Sequence, residues 1–282
     1  MSTNQTKAQR RDAARAEALA LQKKQQAREK RSRLIVLSAL GLGLIILIVA
    51  VVMIFMEGQK TAMEKVENIP AGVVEDTGIP VGADGVAGTE NEGAKTLDVY
   101  VDYMCPVCGQ FEQINGASIA EMREAGDVTL VVHPVAILDR TSQGTEYSTR
   151  AASAAAWVAD RAPAQFSAFH DAMFASQPEE QTPGLSDEQI AQVAEQAGVS
   201  AEEAAGIADG TAHETYEEWV TASTEAAGSD PDVVNPQTGG MGTPTVLIDG
   251  ERFDGWQTPG ALAGAITGEA APSSEPSAEP SE

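Results

Sequence analysis

LIVLSALGLGLIILIVAVVMIFM, Leu34 to Met56, runs for twenty-three residues without a charge or a proline. As a helix it would be about 34 Å long at about 1.5 Å per residue, enough to cross the hydrocarbon core of a bilayer. A core helix of a globular domain rarely goes six turns with so little polarity, here Ser38 alone. A cleaved export signal has a shorter apolar stretch, a shorter basic lead and a small-x-small cleavage site, and no such site follows Met56. Residues 34–56 are therefore expected to form an uncleaved transmembrane anchor. Ten Lys/Arg against three acids stand in residues 1–33, and the flank beyond the span is sparsely basic. The positive-inside rule then places the N-terminus in the cytoplasm and residues 57–282 outside it, as a single-pass protein of the cell membrane.

Removing the arm from the total leaves eight basic and thirty-nine acidic residues for positions 34–282. A body so acidic excludes broad binding to nucleic acid or to anionic lipid, and its charge serves solubility. The arm, KAQRRDAARAEALALQKKQQAREKRSR, is built from good helix formers. It either lies along anionic headgroups as a helix or is a solvated basic tail that only sets topology. Residues 57–95 are rich in Gly, Pro, Asp and Glu with no apolar period, and read as a flexible extracytoplasmic tether. Residues 269–282 are Pro/Ser/Glu low complexity and are expected to be disordered. One domain remains, residues 96–268.

Within it, TLDVYVDYM alternates like a strand, CPVCGQFEQINGASIAEMREAG is amphipathic at helical spacing, and DVTLVVHPVAIL is a second, more apolar strand. Strand, helix, strand predicts a βαβ unit and an α/β fold. From about 142 to 228 the pattern is helical, in four alanine-rich segments separated by Pro/Gly breaks. GTPTVLIDGERFDGW reads as a hairpin turning at Asp249-Gly250, and TPGALAGAITG as a closing helix.

The two cysteines of the chain, Cys105 and Cys108, stand three positions apart where the first strand meets the helix. Zinc would need four ligands; there is no other cysteine, and His133, His170 and His213 lack ligand spacing. Outside the membrane, thiols this close are drawn into redox chemistry. A disulfide closing so short a loop would add little stability. At a helix start the Cys105 sulfur meets unbonded N–H groups and the positive end of the helix dipole, which favours a thiolate and makes it the attacking sulfur. Pro106 suits the first helical position. Cys108, one turn on, can close the disulfide or resolve a mixed one. Far downstream, Pro244 precedes a strand; an ordinary trans bond is the default from these residues alone, a cis Thr243–Pro244 bond in a tight turn the alternative.

This order of elements resembles the thioredoxin superfamily. More narrowly, VDYMCPVCGQFE, YSTRAASAAAW, FHDAMFASQPEEQTPGLSDEQI and MGTPTVLIDG resemble the membrane-anchored DsbA-like thiol–disulfide oxidoreductases of Gram-positive, especially actinobacterial, envelopes. The resemblance implies a thioredoxin-like fold with a helical insertion, preceded by one transmembrane helix. It makes Cys105 the nucleophile, Cys108 the resolving thiol and Pro244 a cis-proline facing them. Thr243 would offer backbone hydrogen bonds to an extended substrate. Asp102 matches the family's acidic position and either tunes the thiols or is merely solvated. Val107 stands where the strongest oxidants of the family carry His, and Val99 where they carry Glu, so a milder potential is expected. The implied activity is oxidation of exported, unfolded proteins with free thiols. It would need no metal or other cofactor, and a membrane reoxidant of the DsbB or vitamin K epoxide reductase type. The alternatives are an envelope reductase or isomerase, or a non-catalytic binding or chaperone module with a permanent disulfide.

Overall fold

The computed structural model describes residues 7–57 and 61–268. The chain divides into two compact units, residues 1–60 and 61–282. In the first, α1 (Lys7–Glu57) carries the basic arm and the apolar run as one continuous helix, so the arm is helical from Lys7 onward. Leu34, Leu40 and Leu47 are exposed on it, as lipid-facing side chains would be, and α1 is a candidate membrane anchor. The expected disordered tail at 269–282 lies outside the described residues.

The second unit is built on a mixed sheet of five strands among the described residues, in the order β1-β3-β2-β4-β5. Strands β2 (Lys95–Val101) and β3 (Val128–Pro134) pair in parallel, joined through α2 (Pro106–Ala125) as the strand–helix–strand pattern predicts. β4 (Thr245–Ile248) runs antiparallel to β2 and turns through Asp249 and Gly250 into β5 (Glu251–Arg252). The period of two sorts the side chains. Leu97, Val99, Val101 and Val246 enter the main core, while Tyr100 and Leu247 pack with Val135, Ala227 and Val233 in a smaller one. Both faces are therefore apolar and covered.

The expected flexible tether at 57–95 is corrected by β1 (Ile79–Val81), which pairs antiparallel with β3, so that β3 is an interior strand. Ile79 and Val81 are buried in the core. Their strand is too short to show a period, and it contains a proline, which an edge strand tolerates because one side of it makes no ladder bond. Side chains pin the segment further. Trp219 Nε1 donates to the Asp76 carbonyl at 2.7 Å, Arg123 Nη1 to Gly82 at 2.6 Å, and Asn91 Nδ2 to Val128 at 2.7 Å.

Between β3 and β4 lies the insertion, with five α-helices rather than four: α3 (Tyr147–Arg161), α4 (Phe166–Ala175), α5 (Asp187–Gln196), α6 (Ala201–Ala208) and α7 (Thr211–Ser229). The additional one, α6, is two turns long, and the Ser200 hydroxyl caps it by accepting from the Glu203 N–H at 3.2 Å. α8 (Ala261–Thr267) closes the fold. α2 ends at Gly126, whose φ of 85° only glycine adopts cheaply, and the Asp127 N–H returns to the Met122 carbonyl at 2.9 Å.

Candidate active site

β2 ends at Val101, and four residues later Cys105 is the N-cap of α2, with Pro106 in the first helical position. The turn between them is held by Asp102. Its carbonyl accepts from the Cys105 N–H at 2.9 Å. Its carboxylate Oδ1 accepts from the Met104 N–H at 2.9 Å and the Ser148 hydroxyl at 2.7 Å, and Oδ2 from the Ile137 and Leu138 N–H groups, each at 2.9 Å. Asp102 is 0% exposed, which removes the solvated alternative for it. Burial pushes its carboxyl up to about 6, against the pull of those four donors.

The two sulfurs have opposite surroundings. Cys105 retains 6% exposure and Cys108 none, and both are free thiols. The Cys105 thiol is brought down to about 6, first by a hydrogen bond from Cys108 and then by the Thr243 side chain and the N–H groups of Cys108 and Val107, with burial opposing. Cys108 is pushed well above the usual thiol range by burial. One sulfur is thus poised as a thiolate while its neighbour keeps a proton to donate.

Across the fold, the Thr243 carbonyl lies 3.3 Å from Cys105 Sγ and accepts from it while the thiol is protonated. The Thr243 hydroxyl is buried without a hydrogen-bond partner, and the Thr243 side chain favours the charge once the proton leaves. The Thr243–Pro244 bond is cis, as the resemblance implies and contrary to the trans default. Cys105, Cys108, Asp102, Thr243 and Pro244 are therefore brought together. Pro106 and Val107 stand on the outer side of the same turn, Val107 at 38% exposure.

Residues 83–267 match the family profile described as thioredoxin. The chain belongs to the thioredoxin family. Solved structures similar to it include MdbA, a thiol-disulfide oxidoreductase from Actinomyces oris, at 28% identity and a TM-score of 0.58, covering 76% of this chain and 97% of that one. Reduced DsbA from Mycobacterium tuberculosis is similar at 29% identity and a TM-score of 0.54, over 68% of this chain and 93% of that one. A curated relative, the serine/threonine-protein kinase PknE of M. tuberculosis, is 28% identical over 184 residues, 64% of this chain and 31% of the kinase. The chain thus spans about a third of that relative's length.

In this thioredoxin-family site the helical insertion supplies contacts that sequence reasoning missed. From α3, Ser148 reaches Asp102. From α4, His170 Nδ1 meets the Tyr103 hydroxyl at 3.0 Å and its Nε2 meets Glu112 Oε1 at 3.3 Å, tying the redox turn to α2 through a buried imidazole. After α4, the Gln177 carboxamide Nε2 donates to the carbonyls of Tyr103 and Cys105, at 3.1 and 2.9 Å. All three fall within segments that carry the resemblance, Ser148 in YSTRAASAAAW and His170 and Gln177 in FHDAMFASQPEEQTPGLSDEQI, but nothing in those segments singled them out. Gln177 lies in a Pro/Glu-rich connection with no period at all.

Proposed function

We propose that the chain is an envelope thiol–disulfide oxidoreductase that introduces disulfides into exported proteins through its Cys105–Cys108 pair. The observation that carries this reading is the asymmetry of the two sulfurs, one favoured as a thiolate and slightly exposed, the other buried and protonated. In the disulfide form a substrate thiolate attacks Cys105 Sγ, the Cys105–Cys108 bond breaks, and the electron pair leaves on Cys108, which takes a proton. A second substrate thiolate then attacks the substrate sulfur of the mixed disulfide, and Cys105 departs as a thiolate. Two electrons have passed from the substrate dithiol to the enzyme pair.

A departing Cys105 held near pKa 6 is a stable leaving group, and stabilising the reduced form drives the exchange toward substrate oxidation. The names of the A. oris and M. tuberculosis structures support the same chemistry. Turnover calls for a membrane protein that passes electrons to a quinone, of the DsbB or vitamin K epoxide reductase type. The basic arm in the N-terminal part of α1 supports a cytoplasmic N-terminus and an extracytoplasmic site. Thr243, beside Cys105, offers its backbone to an extended substrate segment.

Reoxidation of a reduced, unfolded protein and reduction of insulin, with Cys105→Ser as control, separate oxidase from reductase. Trapping the pair in cells adds the direction, since an oxidase is held mostly oxidised and a reductase mostly reduced. A disulfide that resists dithiothreitol, with neither activity present, would sink the enzymatic reading altogether.

A further inference from the structure

The strand-to-helix turn that presents Cys105 is gripped from two sides. Asp102 takes the N–H groups of Met104 and Cys105 on one side. On the other, two carbonyls of the same turn face the insertion, and one side chain answers both: Gln177 Nε2 donates to Tyr103 O at 3.1 Å and to Cys105 O at 2.9 Å. The Cys105 carbonyl is also the acceptor that begins α2, taking the N–H groups of Cys108 at 3.0 Å and Gly109 at 3.2 Å. Gln177 is itself placed firmly. Its own N–H returns to the Phe174 carbonyl of α4 at 3.3 Å, and Phe174 packs on the Tyr103 ring with centroids 5.1 Å apart. Its carboxamide rests on Gly109, where any side chain would collide with it.

A donor shared by the two carbonyls fixes the peptide planes of the turn, and with them the Val107 and Cys108 N–H groups that favour charge on the Cys105 sulfur. We infer that Gln177 is a positioning residue for thiol–disulfide exchange, holding the Tyr103 and Cys105 carbonyls so that the Cys105 sulfur stays aimed at the first N–H groups of α2. This rests on the exchange chemistry proposed above. It makes the connection after α4 part of the redox centre, and it gives Gly109 a reason to lack a side chain.

The test is the pH profile of Cys105 alkylation by iodoacetamide in the reduced, detergent-solubilised full chain, where Cys108 is buried from the reagent. Gln177→Met keeps the bulk against Gly109 and removes both donors. Gly109→Ala keeps the glutamine and displaces its carboxamide. Losing a hydrogen bond of ordinary strength should raise the midpoint by about half to one pH unit, so alkylation below the midpoint falls roughly three- to tenfold. Gln177→Glu should fall at least as far above about pH 5, where a carboxylate has no proton to donate to the carbonyls, and recover in acid as it gains one.

A purely structural glutamine would lower the melting temperature of Gln177→Met and leave the midpoint in place; that result overturns the inference. If Gln177→Met does not fold, Gly109→Ala decides by the same readout, and an unmoved midpoint there is equally fatal. The assay contains neither substrate nor reoxidant. Failure of the exchange reading would appear as inactive wild-type protein in the insulin and reoxidation assays, and the alkylation series would still report on Gln177.

Discussion

Replacing Asp102 by Asn tests the buried carboxylate through the pH dependence of stability. The acid is fully buried and keeps its proton up to about pH 6 when folded, against 3.8 for an ordinary Asp side chain. Because the folded carboxyl is the more basic one, the folded state binds more protons between those values, and stability falls as pH rises through the window. Across about two pH units, at about 1.4 kcal/mol each, the wild type loses about 3 kcal/mol that it holds below about pH 4. Asn has no proton to lose, so this component vanishes in Asp102→Asn. The Asn pays elsewhere, since its NH2 must face either the Met104 N–H and the Ser148 hydroxyl or the two N–H groups of Ile137 and Leu138. One stranded donor costs about 1–3 kcal/mol, but that cost does not change with pH. Urea unfolding of both proteins from about pH 4 to about pH 7.5, followed by tryptophan fluorescence, gives the difference between them and cancels the other carboxylates. The wild type should lose about 3 kcal/mol relative to the variant as pH rises. A difference that stays flat, or one that moves in favour of the wild type, would refute the account of Asp102.

The remaining predictions concern the dithiol. Cys108→Ala removes the first cause of the low Cys105 pKa, so the thiolate ultraviolet absorbance should titrate above the wild-type midpoint of about 6, whereas Cys108→Ser, which retains a donor, should stay nearer to it. Val107→His places an imidazole on an exposed position of the same turn, where it needs no repacking. The Cys105 midpoint should drop by up to about one pH unit at pH values where the imidazole is charged, and equilibration against glutathione should give a more oxidising pair.

What could be read directly from the sequence was what is local in it. CPVC stands between a period of two and a period of 3.6, so the strand, the helix and the cap position of Cys105 follow from neighbours within a few residues. The hairpin at Asp249-Gly250 is local too. Asp102 is the opposite case: three of its four carboxylate partners, Ile137, Leu138 and Ser148, lie 35 to 46 residues away. In isolation an acid beside an aromatic is as easily solvated as buried. β1 was hidden because three residues with a proline in the middle cannot show alternation. α6 is eight residues of mostly Ala and Glu, too short for a stripe to separate from its flanks. Gln177 illustrates the general difficulty, since a carboxamide that bonds to backbone leaves no pattern in side-chain types.

The placement of β4 beside β2 sets the order in which the centre can come into existence. Cys105 and Thr243 are 138 residues apart, and all five helices of the insertion lie between them. A chain emerging N-terminus first presents its cysteine pair early, together with Asp102, but the strand carrying the Thr243–Pro244 turn arrives only after the whole insertion. Until then β2 has an open edge on the side that β4 will occupy, and Cys105 has no Thr243 beside it. A contact of such separation closes a long loop and costs more chain entropy than the local contacts of α2. The unfinished molecule therefore carries its two thiols with only the local part of the apparatus that distinguishes them, the Cys108 hydrogen bond and the first N–H groups of α2. The Thr243 part is added when the last strand docks.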